Sequence, residues 1–313
     1  MTRRLRVAFF GSPAFAVPVF ERVLREHDVR LAVTQPDAPA GRGLRMRRPP
    51  VARAADEAGV PVTQPTRLRR DQAFHQQLRE AELDVAITTA YGRILPEAVL
   101  ALPRHGFLNA HASLLPHLRG AAPIQWALIR GHARTGITVM QTEAGMDTGP
   151  IRHVLATDVG QDETAPELFE RLAPLAAEAI SQALAMLVDG ALPSRPQDHT
   201  QATKAPLLIK EDGHVRWGDP ARAVYDRWRG VLAWPGSTFG HDGRRVRIDG
   251  MRPGTEPASG PPGRIVRVAP GALAVACGDG AVVLTRLTPP GRPPMAADDW
   301  AHGARLKEND RVA

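Results

Sequence analysis

Two short segments carry side chains able to do carbonyl chemistry. The first reads Phe107-Leu108-Asn109-Ala110-His111 and runs on through Ser113-Leu114-Leu115-Pro116 to Arg119-Gly120. If Phe107–His111 is extended, Asn109 and His111 point to one side, because side chains alternate along a strand with period two. An amide donor beside an imidazole suits a carbonyl that becomes tetrahedral. The amide donates to the developing oxyanion, and the imidazole donates or relays a proton. Neither group is a good nucleophile here, so direct transfer is favoured over a covalent intermediate. The second segment is Glu143-Ala144-Gly145-Met146-Asp147-Thr148-Gly149-Pro150. Its glycines let the backbone approach a ligand closely, and Asp147 is placed to orient His111.

Three other features bear on function. Gly11-Ser12-Pro13 follows the first apolar run, where a dinucleotide fingerprint would sit. The G-x-G-x-x-G pattern is absent and Pro13 removes a backbone N–H, which disfavours a nicotinamide or flavin site. The stretch from Asp37 to Arg48 carries Arg42, Arg45, Arg47 and Arg48 on a Pro/Gly-rich frame. It is long for a βα connection. Such a loop can settle on a phosphate backbone, with Leu44 and Met46 free to wedge against a base. The single cysteine, Cys277, excludes an internal disulfide and any cysteine-cluster metal site. Within ALAVAC it reads as a buried small hydrophobe.

These residues must be positioned by the surrounding elements. The first half alternates strand-like runs with helix-like runs. The strands are Leu5–Phe10, Val29–Thr34, Val85–Thr89, Phe107–His111 and Ile137–Thr142. The helices are the stretch holding Ala16, Phe20, Val23 and Leu24, then Asp71–Glu80, Pro123–Ile129 and Thr164–Val188. That alternation implies βαβ units and a mainly parallel, Rossmann-like α/β sheet, with ligands beyond the carboxyl ends of its strands. After Gly190 the pattern changes. Residues 191–206 are polar and proline-containing and read as a linker between a domain at 1–190 and one at 207–313. The latter holds a helix at Pro220–Arg229 and short β-like runs at Arg245–Ile248, Gly263–Val268, Ala272–Cys277 and Ala281–Leu287. Such spacing predicts a small barrel or sandwich.

A chain of 313 residues suits about two domains. Hydrophobic residues at 43% and charged residues at 23% exclude a disordered chain, a collagen and a coiled coil. No apolar stretch approaches the roughly 20 residues of a membrane span. The N-terminal apolar run is too short for a signal-peptide core, so the chain reads as cytoplasmic. The formal charge is +7, carried by 37 arginines and three lysines. It is unevenly spread: +7 over residues 1–53, −4 over 54–206 and +4 over 207–313. Basic ends around an acidic middle are expected if two separated patches touch a polyanion.

Taken together, these segments resemble the methionyl-tRNA formyltransferase family of folate-dependent formyltransferases. The resemblance covers essentially the whole chain. Its blocks are Val7–Pro13, Gln35–Arg48, Thr89-Ala90-Tyr91-Gly92-Arg93-Ile94-Leu95-Pro96, Leu108–Gly120, Ala121-Ala122-Pro123-Ile124-Gln125, and Thr135–Gln141 through Asp147-Thr148-Gly149. It implies a Rossmann-like formyltransferase domain and a C-terminal OB-like β-barrel that holds tRNA. It also implies 10-formyltetrahydrofolate as co-substrate, initiator methionyl-tRNA as acceptor, no metal and a monomer. The family's catalytic Asn, His and Asp fall on Asn109, His111 and Asp147. Its folate-contacting segment falls on Ser113, Leu114, Leu115 and Pro116. Its tRNA-reading loop falls around Arg42, with Arg45, Arg47 and Arg48, and its basic linker side chains on Lys204 and Lys210. The chain departs from the family at Leu232-Ala233-Trp234-Pro235, where Asn-Pro-Trp-Pro is usual, and at Gln201, where Tyr is usual. A formyltransferase acting on a small-molecule amine would share Asn109, His111 and Asp147 without needing the arginine loop or a basic second domain.

Overall fold

The computed structural model describes residues 3–40, 45–255, 257 and 260–313, and the chain divides into two compact units. The first comprises Met1–Pro123, Arg134–Asp158 and Phe169–Pro206. Among the described residues up to 158 there are nine strands: β1 (Arg6–Gly11), β2 (Asp28–Val33), β3 (Ala38–Ala40), β4 (Arg45–Arg47), β5 (Val62–Thr63), β6 (Val85–Thr89), β7 (Phe107–His111), β8 (Arg134–Gln141) and β9 (Ile151–Asp158). The helices are α1 (Val17–Glu26), α2 (Pro50–Glu57), α3 (Gln72–Glu80), α4 (Glu97–Leu100), α5 (Pro123–Ile129) and α6 (Ala165–Val188).

Seven of these strands make one sheet in the order β5-β2-β1-β6-β7-β8-β9. Pairing is parallel from β5 to β7 and antiparallel from β7 to β9. The sequence explains the division. Val7, Ala8, Phe9 and Phe10 of β1 are all fully buried, the continuous apolar run of a strand covered on both faces. The edge strand β9 instead leaves about every second residue open to solvent. Phe10 packs edge-on against Phe107, Tyr91 and Phe74 at centroid distances of 5.0, 5.4 and 6.4 Å. Asp71 starts α3 by accepting the Phe74 N–H.

Helix α6 corrects one expectation. Its 24 residues are long and apolar enough to cross a membrane by length and composition. In this fold they supply core, with Leu172, Ala176, Ala179, Ile180, Ala183 and Leu184 fully buried. The segment 191–206, linker-like in sequence, is bonded to the first unit: Arg195 pairs with Ile151, and Lys204 with Arg119.

The second unit comprises Ile124–Ala133, Val159–Leu168 and Leu207–Ala313. It takes in α5 beyond Pro123 and the first turn of α6, and its other helices and strands are α7 (Ala221–Val231), β10 (Ser237–His241), β11 (Arg244–Pro253), β12 (Ile265–Ala269), β13 (Ala272–Ala276), β14 (Ala281–Thr288), β15 (Met295–Ala296) and α8 (Ala297–Gly303). The strands form an antiparallel sheet ordered β10-β11-β14-β13-β12, with β15 on β14. This is the small β domain expected from the closely spaced apolar runs. Trp217, Trp228, Phe239 and Trp300 fill its core. Arg229 is 1% exposed yet fully engaged, donating to Asp226 Oδ1 (2.7 Å) and to the Gly160 (3.0 Å) and Glu163 (2.8 Å) carbonyls. Cys277 is buried, and burial pushes its thiol up to about 12, so it is an inert core residue.

Candidate active site

Strand β7 presents the first two candidates. Asn109 lies opposite Thr88 of β6, and the Thr88 hydroxyl donates to Asn109 Oδ1 at 3.0 Å. A hydroxyl donating to the amide oxygen fixes which way the amide faces. The NH2 end donates to nothing among the described residues and is left as a free donor. Two residues on, His111 is 6% exposed. Its Nε2 meets the Leu118 carbonyl at 2.9 Å. A carbonyl only accepts, so Nε2 carries a proton, and Nδ1 is the nitrogen free to gain or lose one.

Nδ1 faces Asp147 Oδ2 at 3.6 Å. The same carboxylate oxygen accepts the Gly120 N–H at 2.8 Å. Reaching this point requires a fold-back. Because β8 runs against β7, its following loop departs beside Phe107, where the Thr142 N–H bonds the Phe107 carbonyl. The loop must return to bring Asp147 to His111 at the other end of β7. Two conformations make the return possible. Asp147 holds φ +53, a left-handed conformation uncommon outside glycine that aspartate tolerates better than most side chains. At Gly149 any Cβ would collide with the Gln141 carbonyl, so only glycine fits.

The segment 113–116 packs directly after β7. The Ser113 hydroxyl donates to the His117 carbonyl at 2.6 Å, and Ser113 is fully buried. Its carbonyl accepts from Thr138 Oγ1 at 2.6 Å, and that hydroxyl oxygen takes the Leu115 N–H at 3.1 Å. Ser113 and Leu115 are therefore committed to the fold, while Leu114 and Pro116 remain half-buried at the surface.

The basic candidates separate. Arg42 lies outside the described residues, with Gly41, Gly43 and Leu44. Strands β3 and β4 form a two-stranded ribbon, and Arg45, Met46 and Arg47 on β4 are exposed. Arg48 is different. Its guanidinium holds Asp56 through two bonds of 2.5 and 2.8 Å, lies 3.7 Å from Asp37, and is held above its ordinary value by Asp56. Lys204 is exposed on the strand-like segment beside Arg119. Lys210, also exposed, opens a single turn of 3-10 helix, Lys210–Gly213, in the second unit. Asn109 and His111 thus share one strand and Asp147 reaches His111 from the loop between β8 and β9, whereas Arg45, Arg47 and Arg48 lie on or next to β4.

One feature escaped the sequence reading. A cavity of about 500 Å³ is lined by Arg67, Leu68, Arg69, Arg70, Arg93 and Ile94. Arg93 is anchored by 2.7 Å bonds to the Pro65 and Thr66 carbonyls. Among the described residues no carboxylate forms a salt bridge with any of these arginines. The run Arg67-Leu68-Arg69-Arg70 was the available signal, but nothing in the sequence joined it to Arg93. Among the described residues no group of three His, Cys, Asp or Glu could hold a metal ion.

With this geometry in hand, the comparisons define the class. Residues 5–184 match the family described as formyl transferase, and 207–305 match the formyl transferase C-terminal domain. The methionyl-tRNA formyltransferase of Deinococcus radiodurans is 50% identical over 306 residues, covering 98% of this chain and 95% of that protein. The one from Thermus thermophilus is 46% identical over 308 residues, covering 98% and 99%. The chain belongs to the methionyl-tRNA formyltransferase family. Solved structures agree on the fold. The N-formyltransferase from Helicobacter canadensis, in complex with folinic acid and dTDP-3-aminofucose, superposes with TM-score 0.71 at 12% identity, covering 91% of this chain and all of that one (100%). HypX from Aquifex aeolicus in complex with tetrahydrofolic acid gives TM-score 0.65 at 16% identity. That match covers 99% of this chain and 51% of HypX, so the chain spans about half of HypX.

Proposed function

We infer that this chain transfers the formyl group of 10-formyltetrahydrofolate to the α-amino group of methionine on initiator methionyl-tRNA. The observation that carries the chemistry is the grouping of the Asn109 amide, the His111 ring and the Asp147 carboxylate, with His111 Nδ1 at 3.6 Å from Asp147. Full-length likeness to relatives of that name carries the substrate choice.

The reaction forms a bond from the methionyl nitrogen to the formyl carbon and breaks the bond from that carbon to N10 of the folate. The attacking nitrogen loses one proton and N10 gains one. We assign oxyanion stabilisation to Asn109, whose NH2 is aimed by Thr88 and otherwise free. The proton traffic falls to the His111–Asp147 pair, since His111 Nε2 is occupied by Leu118 and Nδ1 faces the carboxylate. Leu114 and Pro116 offer apolar edge to the donor. The arginine cavity offers charge to the carboxylates of its glutamyl tail, with Leu68 and Ile94 beside them.

Exposed Arg45 and Arg47, with Arg42, Lys204 and Lys210, are assigned to the tRNA backbone. Arg48 is assigned to bracing the ribbon through Asp56. The reading takes the chain as a monomer acting in the cytoplasm, with 1–190 catalytic, 191–206 a connecting segment and 207–313 binding tRNA. The test compares formyl transfer to methionyl initiator tRNA, methionyl elongator tRNA and free methionine. Transfer to the initiator alone is expected. Transfer to none of them, with folate still bound, would move the search to small-molecule amines.

A further inference from the structure

Gln197 sits in the polar 191–206 segment, outside every motif considered above, yet its side chain is buried, with 6% exposure. Its amide uses its full valence. Nε2 donates to the Asp147 carbonyl at 2.9 Å and to the Gly149 carbonyl at 2.7 Å. Oε1 accepts from Arg119 Nη2 at 2.6 Å and Nε at 3.2 Å. Carbonyls only accept and guanidinium only donates, so this amide has one possible orientation.

The partners matter as much as the bonds. Asp147 and Gly149 flank the turn that holds Asp147 at φ +53. Arg119 is flanked by Leu118, whose carbonyl holds His111 Nε2, and by Gly120, whose N–H holds the Asp147 carboxylate. The backbone of 118–122 is itself stitched to 203–205, through Arg119 N to Thr203 O at 2.8 Å and Ala205 N to Arg119 O at 2.7 Å. The contacts close on themselves: His111 to Leu118, along the chain to Arg119, across to Gln197, on to Asp147, and back to His111. Beside the direct Gly120–Asp147 bond, Gln197 is the side-chain link between the two loops that grip the imidazole from its two nitrogens.

We propose that Gln197, held by Arg119, is a positioning residue for formyl transfer: it fixes the Asp147 turn so that the carboxylate stays on His111. The proposal rests on the reading of Asp147 as part of the proton-handling pair. A Gln197→Met side chain fills similar space and loses all four bonds. Released from its two anchors, the turn relaxes away from its left-handed conformation and the carboxylate shifts. A misplacement of about 1 Å at a reacting group costs on the order of 100-fold in rate.

The test is a double-mutant cycle on initial rates of formyl transfer to methionyl initiator tRNA, with Gln197→Met, Asp147→Asn and the pair. Gln197→Met alone is expected to lower kcat by roughly 10- to 100-fold. KM for tRNA and for the donor should stay within about twofold, because Gln197 is buried and its amide is spent on bonds within the protein. In the Asp147→Asn background the same change should cost less than about twofold, since the group it positions is gone. An equal loss in both backgrounds, or none in either, overturns the proposal while leaving Asp147 in place. Wild-type turnover in Asp147→Asn alone would instead remove the reading on which it rests. If Gln197→Met does not fold, Arg119→Lys runs the same cycle by loosening Gln197 without emptying the site. A loss in the wild-type background that disappears with Asp147→Asn supports the proposal, and an additive loss defeats it.

Discussion

The Thr88 hydroxyl and the Asn109 side-chain oxygen meet at 3.0 Å across β6 and β7, so the direction of the Asn109 NH2 is set by the neighbouring strand. Thr88→Val keeps the shape and removes the donor. It should lower kcat by roughly three- to tenfold, the worth of one orienting hydrogen bond. Thr88→Ser should retain activity. Asn109→Ala should be far more severe, about 100- to 1,000-fold in kcat, as for loss of an oxyanion donor. Steady-state kinetics with both substrates varied checks all three, and a KM-only effect for Asn109→Ala would take the oxyanion role away from it.

Arg47 and Arg48 are chain neighbours with different employment. Arg47 is exposed on the β4 ribbon, whereas Arg48 is paired with Asp56. Arg47→Ala should reduce the salt dependence of tRNA binding by about one unit of slope. Arg48→Ala should leave that slope nearly unchanged and lower Tm only slightly, since solvent screens an exposed ion pair. Binding isotherms across a salt series, with thermal melts alongside, distinguish the two.

The arginine cavity makes a prediction about the donor rather than the acceptor. Arg69→Gln with Arg70→Gln should raise KM for a polyglutamyl donor by about tenfold or less, and for a monoglutamyl donor by less still. KM for tRNA should not move. A rise in the tRNA KM with the donor unaffected would reassign the cavity to nucleic-acid phosphate.

Acid stability should follow Asp84. Burial alone would raise its carboxyl. The Arg6 backbone N–H at 2.8 Å, the Arg6 guanidinium at 3.4 Å and Arg3 at 3.6 Å outweigh that and hold the group below its ordinary value. A carboxyl depressed in the folded state takes up its proton more readily when unfolded. Its stabilisation is therefore complete above the unfolded value of about 3.9, and is lost as pH falls through the folded value. The Tm gap between the protein and Asp84→Asn should be widest near neutral pH and close below about pH 4. A gap that persists unchanged into acid would mean packing, not charge, is at stake.

Much of the fold was legible in the sequence, and the reasons are particular. Val85–Thr89, Phe107–His111 and Pro123–Ile129 fall where the apolar pattern and the Pro/Gly punctuation put them. Each is a short, strongly patterned run. Strands β3, β4 and β5, helix α2 and the edge strand β9 did not announce themselves. β5 has two residues, and β9 gains its place only by pairing with β8. The ribbon of β3 and β4 lies inside a segment whose prolines and glycines read as loop. Asn109 and His111 could be read as neighbours because one strand carries both. The approach of Asp147 to His111 depends on an antiparallel turn-back, and the contact of Gln197 with Asp147 spans 50 residues of sequence. Neither has a local periodicity to betray it.

Position 147 has a consequence for anyone engineering this protein. A left-handed backbone favours glycine, or asparagine among the side chains, over aspartate. Selection for heat tolerance with no demand for activity would therefore reward Asp147→Asn, which suits the left-handed backbone and keeps an oxygen for the Gly120 N–H, and a survivor of that selection would face His111 with a neutral amide in place of the carboxylate. Stability screens on this scaffold need a turnover filter from the first round, because here the thermodynamic optimum and the working enzyme part company at a single residue.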